Sequence, residues 1–375
     1  MIVGFRTRDE VHAGAPGRLY RWHLDWPLLA GLLVLAALDL VILYSAGGQE
    51  VDIVQRQALR LALGFLVLSV LAQIPPHHLK VWTPWLFGAG LALLAAVLII
   101  GDIGKGAQRW LDLGIIRFQP SEMMKIAVPM MVAWYLSEKT LPPRLSHLAI
   151  AGLLILIPAL LIAKQPDLGT ALLVTSAGVF VLFLAGLSWK LIFSGIGLFA
   201  ALTPVLWHFM HDYQRKRVLM FLDPESDPLG AGYHIIQSKI AIGSGGIYGK
   251  GWLNGTQSQL EFIPERSTDF IFAVIGEEFG LAGVLMLLAL YLFIILRGLS
   301  IAVHAQDTFT RLLAGSLSLT FSVYVIVNTG MVTGLLPVVG VPLPLMSYGG
   351  TSVVTIMAAF GMLMSIQTHR KLLPR

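Results

Sequence analysis

Long apolar runs alternate with short polar stretches along most of the chain. Gly, Pro and charged residues bound ten of these runs, most of which have about the 18 to 25 residues that a helix needs to cross a bilayer. The runs lack the two-residue alternation of membrane β-barrel strands, so helices are the structure that satisfies their backbone in lipid. The pattern predicts an all-α, polytopic integral membrane protein with about ten transmembrane helices, at 26–46, 57–74, 81–100, 120–136, 148–164, 168–187, 191–209, 269–296, 312–328 and 351–368.

The charges between these helices predict their orientation. With the N-terminal segment 1–25 inside, the inner connections hold most of the Lys and Arg residues, whereas the short outer connections hold few. The positive-inside rule therefore places both termini in the cytoplasm, including the tail 369–375. The segment 210–268, between helices 7 and 8, is then a large extracytoplasmic loop that separates helices 1–7 (26–209) from helices 8–10 (269–368).

A second outer segment, residues 328–352, is apolar but is broken by three prolines and by Gly349-Gly350. Irregular backbone at membrane depth is tolerated only against protein or along a water-filled cavity. We therefore expect this proline-broken loop to cover a cavity on the outer side.

Composition narrows the class of protein further. The chain of 375 residues is 56% hydrophobic and 13% charged, and it contains no cysteine, which excludes disulfides and thiolate metal sites. The N-terminus lacks the short apolar core and cleavage site of a removed signal peptide. Although the net charge is +5, the basic residues stand singly in loops, which favours contact with anionic lipid and not with nucleic acid.

Residues 251–280 carry the carboxylates of greatest interest, because a polar loop there becomes an apolar run directly after Asp269. A carboxylate at a helix N-terminus can simply cap the helix, or it can serve as a general base if a water-poor site balances its pKa. Farther along, Glu277 and Glu278 lie inside the predicted membrane helix. Ionisable side chains there are costly and usually face a polar interior, so Glu277 is a candidate substrate-binding residue.

Several cations are predicted on the same outer face. Glu122 and Lys125 are three residues apart at the start of a span, where they form an ion pair or line the cavity beside Asp269, with Lys125 offered to a phosphate. Arg109 lies in the preceding loop and contacts either a lipid headgroup or the substrate. The run Arg215-Lys216-Arg217 in the large outer loop either binds phosphate or forms a solvated loop face.

The glycine-rich run GSGGIYGKGWLNG, residues 243–255, does not complete a nucleotide motif. A phosphate-binding loop needs Gly where Ser244 stands and Ser or Thr where Gly251 stands, and a dinucleotide fingerprint fails at Tyr248. Two interpretations remain, namely a loop that needs positive φ angles and a backbone cradle for a lipid-borne phosphate or sugar. The histidines show no metal-ligand spacing, and no Cys/His zinc pattern exists.

Four longer stretches match a known family: RWLDLGIIRFQPSEMMK, KQPDLGTALLV, GSGGIYGKGWLNGTQSQLEFIPERSTDFIFAVIGEEFG and NTGMVTGLLPVVGVPLPLMSYGGTS. Over essentially its whole length the chain resembles the shape, elongation, division and sporulation (SEDS) family of cell-wall polymerases, and the last two stretches favour its elongation branch. The resemblance implies a glycosyltransferase of the bacterial inner membrane. Its substrate is lipid II, an undecaprenyl-pyrophosphate disaccharide with a pentapeptide, and its products are β-1,4-linked glycan strands on the extracytoplasmic side.

The resemblance also implies roles for individual residues. It makes Asp269 the catalytic carboxylate, and Glu122 and Lys125 match the buried polar pair of the family. It implies a class B penicillin-binding protein as partner, within the elongation machinery, with the eighth and ninth helices and the outer loop as contact surface. No cofactor is certain, and a divalent cation, Mg²⁺ or Mn²⁺, at the leaving pyrophosphate is left open. A lipid II flippase or a non-catalytic scaffold for the penicillin-binding protein are the alternative functions.

Overall fold

The computed structural model describes residues 23–104, 107–112, 117–209, 215, 219, 232–260, 262–263 and 265–370. In these ranges twelve helices and three short strands follow one another. The helices are α1 (Trp26–Ala46), α2 (Val51–Gln73), α3 (Pro76–Ile100), α4 (Pro120–Ser137), α5 (Leu145–Lys164), α6 (Leu168–Leu184), α7 (Trp189–Phe209), α8 (Tyr233–Ser244), α9 (Thr256–Gln259), α10 (Ile271–Val303), α11 (Thr308–Val332) and α12 (Thr351–Thr368). The predicted all-α fold is confirmed.

Each predicted span corresponds to one of the long helices α1–α7 and α10–α12. Several helices extend beyond the apolar window, because polar residues at a membrane surface continue a helix as well as apolar ones do. Thus α2 already begins at Val51, with Asp52 in its first turn. Within the described ranges seven helices, namely α1, α2, α3, α5, α10, α11 and α12, are long and apolar enough to cross a membrane. The count of ten crossings therefore stays a prediction.

A small antiparallel sheet lies between α3 and α4, where the sequence indicated only a loop. Its strands are β1 (Asp102–Gly104), β2 (Ala107–Asp112) and β3 (Arg117–Phe118), in the order β1-β2-β3. Strands this short leave no mark in a hydrophobicity window the length of a membrane helix. The sheet brings Arg109 and the start of α4 to the same end of the bundle.

The helices pack into one bundle, in which helices from the two halves of the described chain contact one another. The last helix, α12, packs along α2, while α10 packs against both α1 and α11. In the centre, α4 contacts α3, α6 and α11. Side chains of all these helices share one continuous hydrophobic core, which includes Leu35, Met130, Phe321 and Met357.

Part of the large outer segment is helical and packs on the bundle. α8 lies against α10, and the Ser238 hydroxyl donates a hydrogen bond to the Val332 carbonyl at the end of α11 (2.8 Å). The predicted loop 210–268 is therefore, in its described part from residue 232 onward, a folded cover over α10 and α11.

The glycine-rich run completes a break in α10. Gly280 adopts φ +63° and ψ −164°, which interrupts the helix. On the N-terminal side of the break, the carbonyls of Glu277 and Glu278 accept hydrogen bonds from the amides of Lys250 and Gly251 (3.0 and 2.9 Å). On the other side, the amides of Leu281 and Ala282 donate to the carbonyls of Gly246 and Ile247 (both 3.0 Å).

This pairing decides between the two interpretations of the run. Gly246, Gly249 and Gly251 all have positive φ, as the loop interpretation requires. The amides of Gly249, Lys250 and Gly251 already donate to protein carbonyls, so they are not available to cradle a phosphate. The interpretation as a backbone cradle is therefore wrong for these three amides.

Candidate active site

Asp269 lies in the turn that leads into α10. The helix begins at Ile271, and Phe270 occupies the N-cap position, so Asp269 stands one residue outside the cap. Simple N-capping by Asp269 is therefore not the arrangement in the structure. The residue is half-buried, and its Oδ2 atom would lie 3.5 Å from a Cβ atom added at Gly340. The carboxylate thus faces the proline-broken loop, and the cavity that this loop is expected to cover stays a prediction.

The loop can approach Asp269 closely because Gly340 has no side chain. Gly340 also has φ +71°, a left-handed conformation that residues with a side chain rarely adopt. From the other side the Asp269 carbonyl accepts a hydrogen bond from the side-chain amide of Asn328 (2.8 Å). The sequence assigns Asn328 no role by motif. Its polar side chain within an apolar helix is the one sequence signal that points to a buried hydrogen bond here.

Glu122 and Lys125 form the predicted ion pair. Lys125 Nζ donates to Glu122 Oε1 at 2.6 Å, and the two side chains are 6% and 7% exposed. The ammonium also lies 5.2 Å from the centre of the Tyr324 ring. The pair satisfies itself in part, since the Glu122 Oε2 atom is buried and has no hydrogen-bond partner among the described residues.

A short chain of contacts connects this pair to Asp269. Tyr324 packs against Val341, the neighbour of Gly340, and Gly340 in turn faces the Asp269 carboxylate. Beside the pair, Lys125, Thr320 and Tyr324 line a cavity of about 30 Å³, the volume of one water molecule. Glu122 and Lys125 therefore belong to the polar interior below the site, one layer from Asp269.

Arg109 is held by the turn between α5 and α6. Its guanidinium donates to the carbonyls of Gln165 (3.2 Å) and Pro166, and it lies 3.9 Å from the carboxylate of Asp167. Asp167 caps α6, with its Oδ1 accepting from the Thr170 amide (3.2 Å). The same turn packs against the proline-broken loop, because a Cβ added at Gly169 would meet the Val339 carbonyl at 2.7 Å. Arg109 thus lies at the edge of the site.

Arg215, the first residue of the predicted basic run, contacts the end of α7. The Arg215 guanidinium donates to the carbonyls of Trp207 (3.0 Å) and His208 (2.6 Å), which are the last-turn carbonyls of α7. Arg215 therefore caps α7, and its assignment to the substrate stays a prediction. Lys216 and Arg217 lie outside the described residues.

Glu277 and Glu278 make polar interior contacts. Glu277 is fully buried, and its carboxylate accepts from Lys250 Nζ (2.8 Å) and from the amides of Gln257 (2.8 Å) and Ser258 (3.1 Å) at the start of α9. Glu278 is equally buried and accepts from the Ser45 hydroxyl. Both oxygens of Glu277 attach the 250–258 loop to α10, which gives this residue a structural role, and its assignment to substrate binding stays a prediction.

His234, which the sequence analysis did not single out, lies next to the Asp269 turn. Its ring stacks on Phe270 with the ring centres 5.7 Å apart. Burial lowers the pKa of His234 from its ordinary value, although the charge of Glu265 acts in the opposite direction. The imidazole is therefore neutral at physiological pH and packs as an aromatic group.

The site does not resemble a metal centre built by protein alone. Within the described ranges, no three His, Cys, Asp or Glu side chains come close enough together to hold a metal ion. A Mg²⁺ ion that arrives with a pyrophosphate needs only one or two protein carboxylates. A divalent cation that arrives with the pyrophosphate therefore stays a prediction.

Comparisons with known proteins agree with this fold. A family model described as a cell cycle protein of the FtsW/RodA/SpoVE type matches residues 19–372. The chain is 59% identical to the peptidoglycan glycosyltransferase MrdB of Escherichia coli (strain K12), covering 94% of this chain and 96% of that protein. It is 32% identical to the peptidoglycan glycosyltransferase RodA of Treponema pallidum (strain Nichols), covering 92% and 98%.

Solved structures are similar as well. One is a chain of a peptidoglycan synthase complex described as coordinating polymerization and crosslinking, with a TM-score of 0.82 and 36% identity over 93% of this chain and 99% of that chain. Another is the rod shape determining protein RodA of Thermus thermophilus, with a TM-score of 0.71 and 30% identity over 93% and 98%.

Proposed function

This chain belongs to the FtsW/RodA/SpoVE family and is a peptidoglycan glycosyltransferase, and we propose that it polymerises lipid II during cell elongation at a site beside Asp269. The observation that carries the proposal is the position of Asp269. Its half-buried carboxylate faces an irregular loop at the mouth of a membrane helix, where a lipid-linked sugar and a growing strand can both reach it.

Asp269 acts as the general base of one direct displacement. Its carboxylate takes the proton from the 4-hydroxyl of the acceptor sugar while that oxygen attacks C1 of the lipid-linked donor. The bond from C1 to the pyrophosphate breaks, and undecaprenyl pyrophosphate leaves. A single displacement turns the α-linked donor into a β-1,4 linkage, so no second carboxylate is needed as a nucleophile.

The leaving pyrophosphate needs positive charge on the enzyme. Lys125 and Arg109 are the proposed cations, since each lies one contact away from the loop that faces Asp269. Arg215 stays a further candidate, since its guanidinium donates to two backbone carbonyls just as that of Arg109 does. A divalent cation carried by the pyrophosphate would supply the same electrostatic stabilisation.

Glycan-strand formation from purified lipid II tests the base. We expect polymer from the wild type and none from Asp269→Asn, because the amide cannot accept the proton. Asp307→Asn is the matched control, since Asp307 caps α11 through its Oδ1 atom, which the amide oxygen of Asn can replace. Polymer from Asp269→Asn would exclude Asp269 as the base, and lipid II transport without polymer from the wild type would favour the flippase.

The chain is a multi-pass membrane protein, and we place it in the bacterial inner membrane with cytoplasmic termini and an extracytoplasmic active site. The supporting observation is the division of Lys and Arg between the loops. Cysteines introduced one at a time into the cysteine-free chain report the orientation. Labelling of His304→Cys, an exposed position in the connection between α10 and α11, from outside intact spheroplasts would contradict it.

A class B penicillin-binding protein within the elongation machinery is the proposed partner, and an apolar groove supports its docking site. The groove has a volume of about 750 Å³ and runs between α8, α10 and α11, with Val284 and Leu288 in its wall. These helices include the eighth and ninth predicted spans. A related chain is part of a peptidoglycan synthase complex.

Bulky substitutions test this groove. We expect Val284→Trp to reduce copurification of the penicillin-binding protein, because the indole fills the groove. Leu285→Trp, on the neighbouring lipid-facing position that is 56% exposed, leaves copurification unchanged. Equal copurification with both variants would place the partner elsewhere.

A further inference from the structure

Three consecutive carbonyl groups before α10 are each held by the proline-broken loop or its first residue. The Ser267 carbonyl accepts from the amide of Tyr348 (2.8 Å). The Thr268 carbonyl accepts from the hydroxyl of Ser347 (2.6 Å), and the Asp269 carbonyl from the side-chain amide of Asn328 (2.8 Å). Because each peptide group is planar, fixing the carbonyls on both sides of Asp269 fixes the direction of its Cα–Cβ bond, from which the carboxylate extends.

The two side-chain donors cannot rotate freely. The Ser347 hydroxyl also accepts from the Leu343 amide (2.8 Å), and the Asn328 amide also donates to the Val341 carbonyl (2.8 Å). Both residues are buried, so a lost hydrogen bond is not replaced by water. Each donor therefore holds the Asp269 turn and the loop at a set distance from one another.

Other helices brace the loop from behind. The Tyr291 hydroxyl of α10 donates to the Pro344 carbonyl (2.7 Å), and the Gln57 amide of α2 reaches the Ser347 carbonyl (3.4 Å). The Arg60 guanidinium of α2 lies over the Tyr348 ring, 4.3 Å from its centre. The position of Asp269 is thus set by α2, α10 and α11 together.

We propose that Asn328 and Ser347 are positioning residues for glycosyl transfer, which act by holding the carbonyls of Asp269 and Thr268 so that the Asp269 carboxylate meets the acceptor hydroxyl. This inference rests on the proposed function of Asp269. Neither side chain needs to touch the substrate. A displacement of the base by about 1 Å lowers the rate of a positioned reaction by roughly 100-fold.

Ser347→Ala and Asn328→Ala test the proposal, with Ser316→Ala as matched control. The buried Ser316 hydroxyl of α11 also donates to a carbonyl, that of Ala177 (2.6 Å), but in a different part of the core. The measurements are kcat and KM for lipid II, normalised to the folded fraction, together with the melting temperature in detergent. We expect kcat to fall by roughly 10- to 100-fold in both test variants with KM unchanged, and Ser316→Ala to melt lower at full kcat.

Conservative variants and the pH profile separate positioning from general stability. Ser347→Thr keeps the hydroxyl and should restore most of kcat. In Ser347→Ala the acid limb of the pH profile should move, because the Asp269 carboxylate changes surroundings, whereas it stays in place in Ser316→Ala. Activity that falls only in proportion to the folded fraction in all variants would overturn the proposal.

The outcomes also separate this proposal from the proposed function. If Asp269→Asn abolishes polymer while Ser347→Ala and Asn328→Ala keep the wild-type kcat, the positioning role fails and the base remains. If wild-type protein makes no polymer, or Asp269→Asn makes as much as the wild type, the proposed function fails first.

Discussion

At the scale of single residues, burial separates structural carboxylates from the candidate base. Glu277 is fully buried and accepts hydrogen bonds from an ammonium and two amides, and Glu122 is paired with Lys125. Asp269 is half-buried and faces the irregular loop. A substrate hydroxyl cannot reach a fully buried carboxylate, so incomplete burial is what distinguishes Asp269 as the candidate base.

Glu277→Gln should destabilise the protein without weakening substrate binding. The amide removes the charge that pairs with Lys250 and places an NH₂ group against a donor, which costs about 1–3 kcal/mol. We expect a lower melting temperature in detergent and an unchanged KM for lipid II, measured on the folded fraction. Glu138→Gln, in an exposed pair with Lys80, should change neither quantity. A raised KM in Glu277→Gln would favour the substrate role.

His234 should make the outer segment sensitive to acid. Since burial lowers the pKa of His234 below its ordinary value of 6.5, the unfolded chain binds the proton at higher pH than the folded one. The stability from the neutral stack on Phe270 is complete above pH 6.5 and is lost as the pH falls below it. When the pH is lowered from 7.5 to 5, the melting temperature of His234→Gln should therefore fall less than that of the wild type. Equal losses would assign the pH dependence to other groups.

At the scale of elements, the break in α10 shows how a loop can become part of a helix. Membrane helices tolerate an interruption only when other groups satisfy the freed backbone, and the 246–251 segment does so here through four hydrogen bonds. The fit is close, because a Cβ atom added at Gly280 would lie 2.3 Å from the Gly249 amide nitrogen. The glycine-rich run and Gly280 thus pack together at the break in α10.

Gly280→Ala should disrupt the packing of the glycine-rich run against the break in α10. The new methyl group clashes with the 247–249 backbone, and alanine at φ +63° carries strain of about 1–3 kcal/mol. We expect a clear drop in melting temperature and faster proteolysis of the 245–260 segment. Gly243→Ala is the matched control, because a Cβ atom there meets nothing within 4 Å. Unchanged proteolysis in Gly280→Ala would mean that the break does not hold the segment.

At the scale of the whole molecule, contacts between distant parts of the chain close the bundle. α12 lies along α2, and Arg297 near the C-terminal end of α10 pairs with Asp25, the N-cap of α1. The Asp25 carboxylate is buried and Arg297 is partly exposed. The pair thus fixes α1 on α10 at the end opposite the candidate site.

Arg297→Met should loosen this closure. Removing the cation leaves the buried Asp25 carboxylate unpaired, which costs about 3–5 kcal/mol for a fully buried pair and less here, since Arg297 is 27% exposed. We expect a lower melting temperature that the second substitution Asp25→Asn partly restores. Lys80→Met, which breaks the exposed pair with Glu138, serves as control. Equal stability of Arg297→Met and the wild type would show that the pair contributes nothing.

The sequence by itself determined the all-α membrane fold and the helices that the ten apolar runs form. The hydrophobicity of a segment depends only on its own residues, and lipid requires every spanning segment to satisfy its backbone hydrogen bonds internally. The local pattern is therefore sufficient to predict these helices. It also singled out Asp269, and it paired Glu122 with Lys125 because three residues separate neighbours on a helix.

Tertiary structure decided which of the other polar residues are structural. Glu277 meets Lys250 from 27 residues away, and Asn328 meets the Asp269 carbonyl from 59 residues away. Such contacts depend on how α8, α10 and α11 pack, and a periodic pattern holds no information about which faces of two distant helices meet. For the same physical reason, the sequence placed a carboxylate at the mouth of α10, and only the packed loop set the direction in which it points.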